Sequence, residues 1–171
     1  MRKLELVLGP DPQSRAVLQA LEQGPLQDCT MPFVGGAHDR CRPRILATCN
    51  GIFTDEEAAA LARTTVNLFR AWGLTDGEAR ALLGDMAQRT WARWKVGDIG
   101  RIDRDLRARM AILMGIHKAL RYLFTEPARG YSWIRKPSAA FGGRSALDIM
   151  LRGEITDLID LRAYLDAERG A

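Results

Sequence analysis

The residue types that do catalysis and hold metals are few in this chain, and they are badly spaced for it. Its 171 residues include two histidines, His38 and His117. No H-x-x-x-H or H-E-x-x-H spacing sets two imidazoles on one helix face, and no serine has a histidine and an acid around it in a triad-like local context. The acidic residues fall at helix starts and along helix faces, unpaired, so no general acid stands opposite a general base. These patterns argue against an enzyme. Cys29, Cys41 and Cys49 lie with His38 in the first fifty residues. Zinc is the alternative reading of that group, but no C-x-x-C pair supplies the close ligand spacing that zinc sites use. Gly142-Gly143 before Ser145 places a glycine pair ahead of a helix start, where a phosphate can bind. No strand precedes it, however, and G-G-R-S is not a P-loop. No cofactor is expected.

Nucleic acid is the ligand that the side chains fit best. Two short helices separated by Gly84-Asp85-Met86 have the proportions of a helix-turn-helix. In the second, Trp91 and Trp94 are three residues apart and anchor one face in a core. Gln88, Arg89 and Arg93 then point outward, and glutamine pairs with adenine and arginine with guanine in the major groove. Lys95, Arg101, Arg104 and Arg107 are candidates for phosphate contacts. Two details depart from the usual pattern. Arg80 stands four residues before Gly84, where many such motifs place a small residue, and the turn to Thr90 is one residue longer than usual. The alternative reading is a helical core with a solvated basic face.

The elements that must position these residues are helices throughout. Apolar residues make up 47% of the chain and charged residues 27%, which supports a real core and excludes wholesale disorder. Apolar stretches are too short to cross a bilayer, and Glu5 interrupts the run after Arg2 and Lys3, so neither a membrane span nor a secretory signal is expected; the chain reads as cytoplasmic. Five of the seven prolines fall in residues 1–50, which read as a loose arm with a short helix at 14–22. From residue 54 the capping signals repeat: Thr54 with Glu57, Thr75 with Glu78 and Ser145 with Asp148. They predict helices at 56–72, 75–84, 87–95, 103–124, 145–153 and 154–168, an all-α fold. In the long helix Leu106, Met110, Leu113, His117 and Leu120 form one stripe, and Ile112, Ile116, Ala119 and Leu123 form a second apolar face. A helix apolar on two sides is buried on two sides. Burial in the chain's own core is the preferred reading, and the first stripe is the dimerisation candidate where a second copy covers it. Charge is segmental: +4 over residues 88–109, +4 over 127–153 and −3 over 154–171, within a net +4. Two basic segments and an acidic tail suggest more than one partner.

The run Trp133-Ile134-Arg135-Lys136-Pro137-Ser138-Ala139-Ala140-Phe141-Gly142-Gly143-Arg144-Ser145-Ala146-Leu147-Asp148 resembles the signature of the Xre/MbcA/ParS antitoxin family. There a W-x-x-x-P segment precedes G-G-R-S-x-L-D and a terminal toxin-binding helix. The ending from Asp157 to Gly170 is similar to that family too. So is the middle, in Leu83-Gly84-Asp85-Met86, Arg89-Thr90-Trp91, Arg93-Trp94-Lys95, Gly115-Ile116 and Lys118-Ala119-Leu120. The resemblance covers about residues 54–171 and leaves the arm outside. Beside the flexible arm at 1–50 that the prolines suggest, it implies a helix-turn-helix DNA-binding and dimerisation domain at 51–126 and a toxin-binding domain at 127–171.

The resemblance also implies the antitoxin of a bacterial type II toxin–antitoxin pair, with three partners: a cognate RES-domain toxin that consumes NAD or ADP-ribosylates a target, operator DNA, and a second copy of itself. Its DNA-binding residues are expected to be Gln88, Arg89, Arg93, Lys95 and Arg101. Its toxin-binding residues are expected to be Trp133, Arg144, Asp157, Asp160, Leu161, Tyr164, Leu165, Asp166 and Arg169. On this reading the acidic last helix, anchored by its leucines and Tyr164, docks at the mouth of a cationic NAD pocket. The other reading is a stand-alone helix-turn-helix regulator without a toxin.

Overall fold

Three helices of the computed structural model, which describes residues 54–170, open with the same reciprocal exchange. Thr54, Thr75 and Ser145 each accept a hydrogen bond from the backbone three residues on, and the side chain there accepts one back from the cap's own N–H. They start α1 (Asp55–Ala71), α2 (Asp76–Leu82) and α6 (Ala146–Met150). Helix α3 (Gln88–Lys95) begins at Ala87 without a side-chain cap, and the long α4 (Arg104–Leu123) begins at Asp103, whose carboxylate accepts from Leu106 N at 2.8 Å. Helix α5 (Pro127–Trp133) and a 3₁₀ turn at Ala139–Phe141 lead to α6, and α7 (Ile155–Gly170) ends the described chain. No strand is present among the described residues; Pro137 and Ser145 form one isolated antiparallel bridge. The helices match the expected ones closely, with α5 added. The proline-rich arm, its expected helix at 14–22, and Cys29, Cys41, Cys49 and His38 lie outside the described residues. No described helix is long and apolar enough to cross a membrane.

Helix α4 is the axis of the fold. Helix α7 lies along it more extensively than any other pair of elements meets, and α1 and α5 pack on it as well. Met110, Leu113 and Leu120 are buried to within 1% of completely, His117 is 5% exposed, and Leu106 is half-buried. That moves the stripe expected at a dimer contact into the core of a single chain, because α4's two apolar faces are both covered from within. The covering is tight where α7 crosses: a Cβ on Gly115 would sit 1.4 Å from Nη1 of Arg162, so glycine lets that guanidinium lie against the α4 backbone. Arg162 is held there by Asp166 at 2.7 Å.

His117 is a histidine that burial keeps neutral. Its Nδ1 has no hydrogen-bond partner, and its ring lies 5.9 Å from that of Tyr131. Removal from water, with a smaller push from the charge of Arg121, lowers its pKa to about 4. The unfolded chain binds this proton near pH 6.5 and the folded chain does not, so stability is full above that pH and falls as pH drops toward 4. Urea denaturation is expected to show a loss of about 2 kcal/mol between pH 7.5 and 5 that His117→Gln removes, from the 1.36 kcal/mol carried by each pKa unit. The same pH dependence in the variant would place the proton elsewhere.

Candidate functional site

The turn between α2 and α3 is built around two consecutive residues in the left-handed region, Gly84 at φ +78° and Asp85 at φ +57°. Glycine adopts that conformation freely and aspartate tolerates it better than most residues. The extra residue of the turn is fastened by Arg80. Its Nε donates to Met86 O at 2.6 Å, while Met86 N donates back to Arg80 O at 3.1 Å. An arginine stands where a small residue is customary because this longer turn has a carbonyl to hold. Past the turn, Trp91 and Trp94 are buried, at 4% and 3% exposure. Trp91 stacks near Phe69 at 6.0 Å and donates from Nε1 to Asp76 Oδ1 at 2.8 Å. Anchored on that side, α3 exposes Gln88, Arg89, Arg93 and Lys95, with Arg101 exposed in the loop beyond.

The basic charge around α3 is largely engaged within the protein. Arg93 forks onto Asp98 at 2.6 and 3.1 Å, and each holds the other's charged form: the Asp98 carboxyl lies below its ordinary range and the Arg93 guanidinium above. Lys95 reaches Asp76 at 2.7 Å, and with Trp91 lowers that carboxyl too. Arg107 pairs with Asp55, and Arg109 with Asp105 at 2.8 Å. Arg89, Arg101 and Arg104 form no ion pair among the described residues, so they meet a phosphate or a base without first giving up a partner. The start of α3 carries no side-chain cap, so no side chain of the cap residue occupies its first backbone N–H groups, the kind of group that binds phosphate at helix starts.

A second surface lies at the other end of the molecule's sequence. Four half-buried aromatic side chains from four elements follow one another: Phe124 to Trp133 at 6.2 Å, Trp133 to Phe141 at 6.1 Å, and Phe141 to Tyr164 at 5.1 Å. The last two contacts are edge-on, the favoured geometry for aromatic pairs. Phe141 belongs to a loop closed at its base by the Pro137–Ser145 bridge and by Ser138 N donating to Arg144 O at 3.0 Å. Gly142 and Gly143, at φ +63° and +80°, turn the chain back so that Gly143 N reaches Ser138 O at 3.0 Å. The loop thus presents exposed Ala139, Ala140, Lys136 and Arg144 on a fixed backbone beside a partly open aromatic row. That combination suits a protein partner: rigid aromatic anchors with a polar, cationic rim.

The residues expected to face a toxin divide between this surface and the interior. Trp133, Tyr164 and Arg144 belong to it, and Phe141, which the sequence reading passed over, links the first two. Leu161 and Leu165 do not; at 2% and 1% exposure they are buried, because α7 turns its leucines toward α4. The acidic character of α7 is also tempered. Asp157 pairs with Arg152 at 3.3 Å, Asp166 with Arg162 at 2.7 Å, and half-buried Asp160 is engaged within the protein as well. Tyr164 is held above its ordinary pKa, first by burial and then by the charge and hydrogen bond of Glu168. Arg169 lies over the ring of exposed Tyr122 at 5.0 Å, which ties the end of α7 to the end of α4. No group of three His, Cys, Asp or Glu side chains among the described residues is placed to hold a metal ion.

Two family descriptions match the chain in tandem: the antitoxin Xre-like helix-turn-helix domain over residues 53–117, and the antitoxin Xre/MbcA/ParS C-terminal toxin-binding domain over residues 119–170. Uncharacterized protein y4oB of Sinorhizobium fredii (strain NBRC 101917 / NGR234) is 41% identical over 99 residues, which are 58% of this chain and 76% of that one. No solved structure matches the chain. The junction between the two matches, at residue 118, falls inside α4. For the turn itself, Arg80→Ala is expected to cost about 1–3 kcal/mol of stability, the range for losing a charged partner of a part-buried carbonyl. Urea unfolding followed by the fluorescence of the four tryptophans measures it, and an unchanged midpoint would deny Arg80 that role.

Proposed function

The chain belongs to the Xre/MbcA/ParS antitoxin family, and from that premise we propose that it neutralises a RES-domain, NAD-consuming toxin and represses its own operon from the cytoplasm. The observation that carries the reading is the pair of surfaces on one helical body. Exposed Gln88 and Arg89, the latter in no ion pair among the described residues, ride on a helix anchored by two buried tryptophans. The Trp133–Phe141–Tyr164 row and the Arg144 loop lie within the match to the toxin-binding domain.

Within this proposal Gln88 and Arg89 contact bases, Arg101 contacts phosphate, and Arg93 and Lys95 join only as they release Asp98 and Asp76. A homodimer is part of it, since helix-turn-helix repressors commonly read two half-sites. The dimer contact then lies off the α4 stripe, which one chain already buries. The toxin seats on the aromatic row and on Arg144. The end of α7 (Tyr164, Asp166, Arg169 and the residues after it) covers the mouth of the NAD pocket. The burial of Leu161 and Leu165 supports a rigid rather than a detachable α7, so occlusion relies on its side and end, not on insertion of the whole helix.

Two outcomes follow. On a duplex from the promoter of the chain's own gene, Arg89→Ala is expected to lose ~1–3 kcal/mol of specific affinity. Arg93→Ala is expected to lose less, because Asp98 competes for that guanidinium. Equal binding by wild type and an Arg89/Arg93 double alanine variant would remove α3 as the reading helix. On the toxin side, deletion of residues 168–171 spares Leu165 and the Phe141–Tyr164 contact. NAD turnover by the toxin is expected to return partly while the complex persists in size-exclusion chromatography. Complete inhibition by the shortened chain would show that the end of α7 does not cover the pocket.

A further inference from the structure

Arg135 and Arg109 each join the toxin-binding segment to the helix-turn-helix, and neither is on α3. Arg135 follows half-buried Trp133 and buried Ile134 in the turn after α5, a turn fixed by Leu147 N donating to Ile134 O at 2.9 Å. Its guanidinium donates to both carboxylate oxygens of Glu78, at 3.0 and 3.1 Å, and to Gly73 O at 2.8 Å. Glu78 is the same residue that closes the α2 capping box, accepting from Thr75 N at 2.7 Å. One carboxylate therefore seals the first helix of the DNA-reading pair and receives the fork from the C-terminal segment. The Arg135 fork is the main reason its pKa is lowered to about 2.

Arg109 makes the second strut. Its side chain is 11% exposed, and it donates to Asp105 at 2.8 Å and to Gly153 O, at the corner between α6 and α7, at 2.7 Å. It also lies against the α2–α3 turn: a Cβ built on Gly84 would be 3.2 Å from its Nε. The two arginines thus end on three supports of the reading helix, namely the α1–α2 corner, the α2 cap and the turn. Arg135 stands on the corner after α5 that carries the aromatic row, and Arg109, rooted on α4, touches the corner before α7 with the same guanidinium.

We propose that Arg135, backed by Arg109, is a positioning residue through which occupation of the C-terminal surface changes how α3 is presented to DNA. The inference rests on the proposed function, since it needs one ligand at each surface. A ligand shifts an equilibrium only through contacts that differ between the two states. A toxin seated on Trp133 meets such a difference, because Trp133 and Arg135 share one turn. The coupling is reciprocal, so the DNA raises or lowers toxin affinity by the factor by which toxin changes DNA affinity.

The test uses the full chain, the RES-type toxin from the adjacent reading frame, and the promoter duplex of the chain's own gene, with DNA affinity read by fluorescence anisotropy with and without toxin. In the wild type, toxin is expected to change DNA affinity by about 5-fold or more, the usual scale of coupling between sites. Arg135→Gln is expected to reduce that change to under about 2-fold. Arg129→Gln removes the same charge from an exposed residue of α5 that lies in neither surface, and is expected to keep it. Arg135→Lys retains charge without the fork and is expected to rescue little. Glu78→Gln preserves the capping box, which accepts glutamine, and is expected to match Arg135→Gln, the double variant losing nothing further. An Arg135→Gln chain with the wild-type change would overturn the proposal, as would a wild type that binds both ligands without coupling. A wild type that binds neither DNA nor toxin would overturn the proposed function itself.

Discussion

Everything in this molecule depends on covering both apolar faces of α4. A helix with Met110, Leu113 and Leu120 on one stripe and Ile112, Ile116 and Ala119 on another has no side to turn toward water. Helix α1 covers part of it; α5 and α7 cover the rest. Because one helix is shared, the segment that reads DNA and the segment that binds toxin are not beads on a linker. Gly115 shows how close the packing is, since it admits Arg162 to the α4 backbone where any larger residue would displace it. This also explains why α7 keeps its leucines for its own chain and leaves its ends and edges to a partner.

Electrostatics then decides which side chains are available. The basic segment at 88–109 and the acidic tail at 154–171 look like opposed docking surfaces when charges are counted, yet many of those charges answer one another locally. Arg93 with Asp98 and Lys95 with Asp76 bind across α3, and Asp157 and Asp166 are met by Arg152 and Arg162. Exposed pairs of this kind contribute little to stability. Their effect is on recognition: a cation already paired must give up its partner before it meets a phosphate. Arg89, Arg101 and Arg104 beside α3, and Arg144 in the C-terminal loop, form no such pair among the described residues.

Much of the fold was legible because its signals are local. Each capping box spans four residues, and the α4 stripe from Leu106 to Leu120 repeats over about four turns, so both can be read without knowing the tertiary structure. Helix α5 was missed because seven residues are too short for periodicity; Pro127 just after Glu126 was the one start signal. The site was less legible. The aromatic row draws Phe124, Trp133, Phe141 and Tyr164 from four elements, and no spacing rule connects them. Leu161 and Leu165 were assigned outward because periodicity identifies an apolar face without saying what covers it. The same limit put the α4 stripe at a dimer contact. Arg80 was legible as an oddity and not as a solution, because its purpose appears only with the carbonyl of Met86 in place.

The claim that two recognition surfaces share one helical body is tested most directly by asking whether both are occupied at once. Mixing the chain with the RES-type toxin of the adjacent reading frame and the promoter duplex, then measuring mass by light scattering and NAD turnover on the same sample, answers it. A single species containing all three components, with NAD turnover suppressed, is the expected result. Toxin and DNA that exclude one another, or a complex in which the toxin consumes NAD at its free rate, would contradict it.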